Sequence, residues 1–349
     1  MTKISHPFQE PPAFGEIAEI QRGIGWLRLP LPYRLDHVNV YLIEDGDGWT
    51  VIDAGIFDKP TIAIWEALLA GPLPAAKLKR LVVTHHHPDH IGMAGWLCER
   101  AGIPLLTSQT AYLFCDNISL DPGALQNEQY RNFYLSHGMP EAIADQVGTQ
   151  GHDYLTKVSR LPLTFLRLMA GDTLVIGERR FKILSGDGHA PEQIMMYCAE
   201  DNILVTADQV IARITPNVSV WAAEPDGDPL GHFMRSIRFL KQAIPHDTLI
   251  LPGHQLPFVG LHQRCDEMLA HHEERCRLVS ETCRTTPQTI MELVPVLFQR
   301  PLDAHQLSFA FAETLAHVNR MIRRTELCKL VTPPGVIRYG VSVQRDDAT

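Results

Sequence analysis

The sequence predicts a layered α/β fold with a helical insertion and a C-terminal winged-helix-like module, and three observations carry that prediction. Strand-like and helix-like runs alternate from about residue 38 to residue 108, the pattern of helices packed on a sheet. The alternation stops at about 109–165, where helical patterns follow one another without a strand. The chain then returns to short strands with turn signals and closes with helix, helix, hairpin. The expected organisation is one α/β domain over 1–262 containing the insertion, a connecting helix over 263–284 and the winged-helix-like module over 285–349.

Each element has its own signal. "VNVYLIED" and "WTVIDAGI" are two strand patterns joined by a Gly/Asp turn at 45–48. "KPTIAIWEALLAG" reads as a helix closed by Gly71. "LKRLVVT" is a β-branched run expected to be buried, followed by the helical "HIGMAGWLCERAG" and the strand "IPLLTS". The insertion contributes Tyr112, Phe114, Tyr130, Phe133, His137 and Tyr154, expected mainly in helical core packing, with one or two lining a pocket. "DTLVIGERRFKILSGDGHAPEQIMMYCAEDNILVTADQV" reads as short strands, "DPLGHFMRSIRFLKQAI" as a helix and "TLILPGH" as a strand. A long helix follows at roughly 261–284.

The chain has 349 residues, 45% hydrophobic and 20% charged, enough to bury a full core. Its net charge is -9, which weighs against a nucleic-acid partner, because phosphate neutralisation needs Lys and Arg. Residues 285–349 carry seven Lys/Arg and six Asp/Glu, a net of +1, so the terminal module shows no strong phosphate-binding face either. The first residues lack the basic and apolar regions of a signal peptide, and no apolar run is long enough for a bilayer. The seven cysteines are odd in number and lack C-x-x-C, as expected of reduced thiols in a cytoplasmic protein.

The densest chemistry is "THHHPDH", residues 84–90. Four histidines and an aspartate at the end of a buried strand are a poor solvated turn, because protonated imidazoles repel one another. They are a good metal site. His85 and His87 lie two apart, so at a strand end they face one side and can share one metal. Pro88 turns the chain, and Asp89 and His90 aim at a neighbouring point, while His86 faces away. Three more candidates stand at apparent strand ends: His189 in "SGDGHAPE", Asp208 in "ILVTADQV" and His254 in "LILPGHQLP". Together they make five imidazoles and two carboxylates, enough for two metals.

With "VIDAGI", "THHHPDH", "DGHAPE", "TADQ" and "LPGHQ" in this order, the chain resembles the metallo-β-lactamase-fold hydrolases over roughly residues 20–260. The branch it looks like is that of glyoxalase II and of small metallo-hydrolases with a C-terminal winged-helix segment. The resemblance implies an αββα sandwich. It implies that His85, His87 and His189 hold one divalent metal ion, that Asp89, His90 and His254 hold the other, and that Asp208 bridges them beside a water or hydroxide. Asp53 would orient an imidazole; by its residue pattern alone a turn aspartate is as good a reading. Two departures stand out: Glu192 where the family has a small residue, and Ala207 where it has Gly.

An all N/O donor set suits zinc and tolerates iron or manganese. The implied reaction is hydrolysis of a small ester, thioester or lactone, with His85, His87 and Asp89 at its centre and water made acidic by the metals. The expected partner is a small acyl substrate, with no nucleic acid and no membrane; a homodimer is compatible. Competing readings are an RNA- or DNA-processing nuclease, an iron-dependent sulfur dioxygenase-like enzyme, and a regulatory protein in which the metals are structural. Arg213 is a candidate for meeting an anionic substrate, with a surface salt bridge as the equal alternative.

Overall fold

The computed structural model describes residues 3–120, 128–148, 151–333 and 335–342. Parts of the insertion at 121–127 and 149–150, and the last residues of the terminal module, lie outside them. The elements run β1 (Ile17–Gln21), β2 (Ile24–Pro30), β3 (His37–Asp45), β4 (Gly48–Ile52), α1 (Lys59–Ala70), β5 (Leu78–Val82), α2 (Pro88–Ile91), α3 (Ala94–Ala101) and β6 (Leu105–Thr107). The insertion supplies α4 (Gln109–Leu120), α5 (Glu128–Ser136), α6 (Glu141–Gly148) and α7 (Gly151–Thr156). Then come β7 (Leu166–Arg167), β8 (Thr173–Ile176), β9 (Arg179–Gly186), β10 (Gln193–Cys198), β11 (Ile203–Ala207), α8 (Pro229–Ala243), β12 (Leu249–Pro252) and α9 (Leu261–Thr285). The chain closes with α10 (Ile290–Leu297), α11 (Ala304–Arg323), β13 (Leu327–Thr332) and β14 (Val336–Val341).

Two compact units emerge. The first gathers 1–122, 152–216 and 236–265; the second gathers 123–151, 217–235 and 266–349. In the first unit, seven strands lie in the order β1-β2-β3-β4-β5-β6-β7 and five in the order β12-β11-β10-β9-β8. The pairings are antiparallel from β1 to β4 and parallel from β4 to β7; in the smaller sheet only β11 and β12 run parallel.

The period-2 alternation of the strands builds the layers. On β3, Tyr41 and Ile43 join a core with Phe181, Ile183, Ile194, Met196 and Val205 of the second sheet, so the two sheets pack face to face. Val38, Val40 and Leu42 point the other way, into a second core with Trp65 of α1, Leu97 of α3 and Tyr112 of α4. A mixed α/β sandwich results, as the sequence predicts. Truncating Phe181, which is fully buried, to Ala should cost about 3–5 kcal/mol, by lost burial and an unfilled cavity.

Some local features differ from the sequence reading. The hairpin β1–β2 precedes the first strand the sequence announces; Gly23, Gly25 and Pro30 break its apolar pattern. "HIGMAGWLCERAG" is two helices, parted where the Met93 amide donates to the Gly55 carbonyl. In the second unit, α10, α11 and the β13–β14 hairpin follow the helix, helix, hairpin order, with α11 packed on α6, α10 and β13. All seven cysteines are free thiols, and six are buried. No helix among the described residues is long and apolar enough to cross a membrane.

Candidate metal centre

The site assembles from the C-terminal ends of five strands of the first unit. β4 leads into Asp53, β5 into His85–His90, β9 into His189, β11 into Asp208 and β12 into His254. The structure gathers all seven donors that the sequence singles out. His85, His87 and His189 form one group and Asp89, His90, Asp208 and His254 another, each with its ligand atoms within 4.8 Å of one another. In the first group His85 Nε2 lies 3.0 Å from His87 Nδ1. In the second, His254 Nε2 lies 3.1 Å from Asp208 Oδ2 and 3.3 Å from Asp89 Oδ2, and His90 Nε2 lies 3.3 Å from Asp208 Oδ1. Asp208 reaches both groups, since His189 Nε2 is 3.5 Å from its Oδ2.

Hydrogen bonds behind the cluster decide which nitrogen three of the rings, His85, His90 and His254, offer. His90 Nδ1 donates to Asp53 Oδ2 at 2.8 Å, leaving Nε2 for the site. His254 Nδ1 donates to the His37 carbonyl at 2.7 Å, with the same result. Thr84 Oγ1 donates to Asp53 Oδ2 at 2.9 Å and lies 3.0 Å from His85 Nδ1, so the hydroxyl relays between that ring and the carboxylate. The Thr84 amide closes on Asp53 Oδ1 at 2.8 Å. Asp53 thereby orients one imidazole from each group.

Backbone strain marks the same loops. Asp53 (φ 64°), Glu192 (φ 52°), Ala207 (φ 44°) and Gln255 (φ 66°) all occupy the left-handed region, which costs non-glycine residues of order 1–3 kcal/mol. Each is itself a site residue, adjoins a donor or ends a donor's loop. At Gly253 the constraint is space: a Cβ there would lie 2.2 Å from Asp208 Oδ1 and 2.8 Å from His90 Cε1.

The electrostatics divide along the two groups. Burial, then the neighbouring imidazoles, holds His85 and His87 well below the ordinary histidine pKa, so both rings are neutral donors. Burial also opposes charge on His90 and His254, but Asp208 and Asp89 outweigh it; His90 is held well above its usual range and His254 rises to about 10. Asp208 is desolvated too, yet His254 and His90 keep its carboxyl well below the carboxylate range. The acidic group thus demands positive charge, which divalent ions supply in place of ring protons. His90 Nε2 and Asp208 Oδ1, both buried, find no hydrogen-bond partner, as suits atoms directed at a cation. Donor chemistry, orientation and charge therefore fit metal ions. His87, Asp89 and His189 are half-buried, whereas His85, His90, Asp208 and His254 are buried, so solvent reaches the cluster at the first three.

Other singled-out residues fall into place. His86 belongs to neither donor group; it is buried with its ring 3.9 Å from that of Phe114, and Tyr154 Oη donates to its carbonyl at 2.6 Å. Tyr112 stacks on Phe165 and donates to the Pro162 carbonyl. Phe133 and His137 belong to the second unit, against Phe311. Tyr130 is half-buried on α5. Arg213 is exposed and forms no ion pair among the described residues; its amide donates to Gln255 Oε1. Glu192 accepts from Thr110 at the start of α4 and pairs with Arg167. Sequence reasoning missed Thr84 and His37; Thr84 stood inside the quoted motif, but nothing local signals that the His37 carbonyl meets His254.

Comparison with known proteins agrees with this geometry. The profile of the metallo-beta-lactamase superfamily matches residues 33–254, well over half of the chain. The chain belongs to the metallo-beta-lactamase superfamily. A second profile, the metallo-beta-lactamase-like C-terminal domain, matches residues 276–342. A crystal structure of a beta-lactamase domain protein from Burkholderia ambifaria is similar with 34% identity and a TM-score of 0.90, covering 97% of this chain and 98% of that one. A metallo-beta-lactamase family protein of Thermus thermophilus has 28% identity and a TM-score of 0.78 over 93% of this chain and 100% of its own. Among curated relatives, a probable metallo-hydrolase of Bacillus subtilis is 25% identical over 84% of this chain and 90% of its own length. A hydroxyacylglutathione hydrolase of Pseudomonas entomophila is 26% identical over 66% of this chain and 87% of its own.

Proposed function

We propose that this superfamily member hydrolyses a small carboxylic ester, thioester or lactone, using two divalent metal ions, zinc by the donor set. That it is a metal-dependent hydrolase in kind follows from its family and from relatives named as metallo-hydrolases. The observation that carries the proposal is the seven-donor cluster, two groups joined through Asp208. His85, His87 and His189 would hold one ion, and Asp89, His90 and His254 the other, with Asp208 between. When bound, such a pair supplies Lewis acidity and water activation near neutral pH.

The chain's own residues do the rest. Asp53 and Thr84 fix the tautomers of His90 and His85, so the donor atoms need no reorganisation during turnover. The buried His86 and the half-buried Phe114 pack together beside the cluster. The half-buried edge at His87, Asp89 and His189 is where an acyl group enters. Water adds to its carbonyl carbon, the bond to the leaving oxygen or sulfur breaks, and the leaving group takes a proton. A carbonyl centre is favoured over a phosphodiester strand by the net charge of -9. Relatives carrying the name hydroxyacylglutathione hydrolase add support from similarity.

The test is a panel of chromogenic esters, thioesters and lactones alongside phosphodiesters and nucleic acids, run on metal-loaded protein with elemental analysis. About two metals per chain and hydrolysis of acyl substrates, abolished by a chelator and by His87→Ala, are expected. Cleavage confined to phosphodiesters would replace this reading with the nuclease one. Chelator-treated protein as fast as loaded protein would end both.

A further inference from the structure

We propose that the second unit carries a binding site for phosphate, free or as the ester of a small molecule. The site is a polar cavity of about 320 Å³, at the lower end of the range of small-ligand pockets. Two helices wall it, and each presents two basic side chains three residues apart, which places them on one helix face. α8 presents His232 and Arg235; α11 presents Arg320 and Arg323.

The cavity's guanidiniums are poorly satisfied by the protein. Arg320 Nη1 stands 3.2 Å from Asp228 Oδ2, but its Nε is buried without a hydrogen-bond partner. Arg323 makes one long bond, 3.3 Å to the Asp226 carbonyl. Arg235 is exposed and makes no hydrogen bond or ion pair among the described residues. The acids that line the cavity do not balance them. Asp228 already accepts from the Gly231 amide at 2.7 Å as well as pairing with Arg320, and Glu224 is exposed. Three guanidiniums therefore face two carboxylates, one of them already engaged, on a chain whose net charge is -9.

The chemistry selects the ligand. Arginine offers only donors, in a planar fork that matches oxyanions. One fork satisfies a carboxylate, whereas forks approaching from two helices suit the several oxygens of a tetrahedral dianion. A metal ion finds no unengaged carboxylate pair here, and an apolar group finds no matching wall.

The experiment uses the full-length, metal-loaded protein and isothermal titration with inorganic phosphate, glycerol 3-phosphate and succinate at matched ionic strength. A metal-loaded cluster in the first unit would accept anions too, so the reading is the difference between wild type and Arg235→Ala or Arg323→Ala. Both side chains are exposed, so neither change threatens folding. The phosphate probes are expected to bind wild type about tenfold or more tightly than either variant, as the loss of one charge-assisted hydrogen bond implies. Metal content and acyl hydrolysis should not change. Tighter binding of glycerol 3-phosphate than of phosphate identifies a phosphorylated small molecule as the ligand; equal binding identifies free phosphate. Equal affinity in wild type and both variants, succinate binding as tightly as phosphate, or binding that tracks ionic strength alone overturns the proposal.

Discussion

Asp53 ties the two donor groups together through one carboxylate, taking a hydrogen bond from His90 and, by way of Thr84, serving His85. Asp208 instead stands among the donor atoms themselves. The two aspartates should therefore fail differently. Asp208→Ala is expected to lose metal outright, whereas Asp53→Asn should keep the cluster and weaken metal affinity by about 10–100-fold, the usual cost of a misoriented imidazole. Competition with a chromophoric chelator measures both; an unchanged affinity in Asp53→Asn would deny it the orienting role. Gly253→Ala should also deplete metal, because its Cβ cannot fit 2.2 Å from Asp208 Oδ1 without displacing that carboxylate. A normal metal-to-protein ratio in that variant would show that the loop gives way. The seven donors were legible because their types and order are local facts. The support from His37 was not, because the bond from His254 to its carbonyl spans 217 residues of sequence and exists only once the two strands lie together.

At the scale of elements, the loop after β9 is held to the start of α4. Glu192 keeps a strained φ of 52° and spends its carboxylate on the Thr110 amide and hydroxyl, at 3.1 and 2.7 Å, and on Arg167. That clasp gives the unusual glutamate in "GHAPE" a structural reason. Glu192→Gln keeps the Thr110 bonds and loses an ion pair whose arginine side chain is 43% exposed, so it should cost under about 1 kcal/mol. Glu192→Ala keeps the strain and abandons the bonds, and should cost about 1–3 kcal/mol. Urea denaturation of both variants checks this, and equal losses would mean the Thr110 bonds contribute nothing. Elements with strong periodicity, such as β3, β5, α1 and α9, were readable from sequence. The β1–β2 hairpin was not, because glycine and proline interrupt its pattern while pairing with β3 supplies what propensity lacks. The insertion, read as one block, contributes α4 to the first unit and α5 and α6 to the second, a partition no local pattern encodes.

Each of the two units draws on three separate stretches of chain, so their stabilities rest on different chemistry. In the first, metal ions held by the donor cluster of the folded state would stabilise it by mass action. The second contains a buried polar network. His317 Nδ1 donates to the Glu313 carbonyl at 2.8 Å, which leaves its Nε2 to accept from His272 Nδ1 at 3.1 Å. The Glu313 carboxylate is held by Arg275 and Asn217. Three ligand-type residues meet here, but the Glu313 carboxylate is already engaged by Arg275 and Asn217, and the His317 ring has a partner at each nitrogen. Burial, only partly offset by the Glu313 carbonyl, pushes the His317 pKa down to about 3. Between that value and the ordinary value of about 6.5, the unfolded chain binds a proton that the folded chain refuses. The resulting contribution is therefore complete above about pH 6.5 and is lost as pH falls towards 3. Glu313, whose pKa burial raises, acts in the opposite sense near the carboxylate range. His317→Gln should be less stable at pH 7, having lost a buried hydrogen bond, yet its stability should decline less steeply between pH 6.5 and 5. The difference in slope should approach one proton, about 1.4 kcal/mol per pH unit. Titrations of the metal cluster are common to both proteins and cancel when their urea midpoints are compared at each pH. Parallel curves for variant and wild type would mean that His317 takes up its proton in the folded chain as readily as in the unfolded one, and that the network tolerates a charged ring.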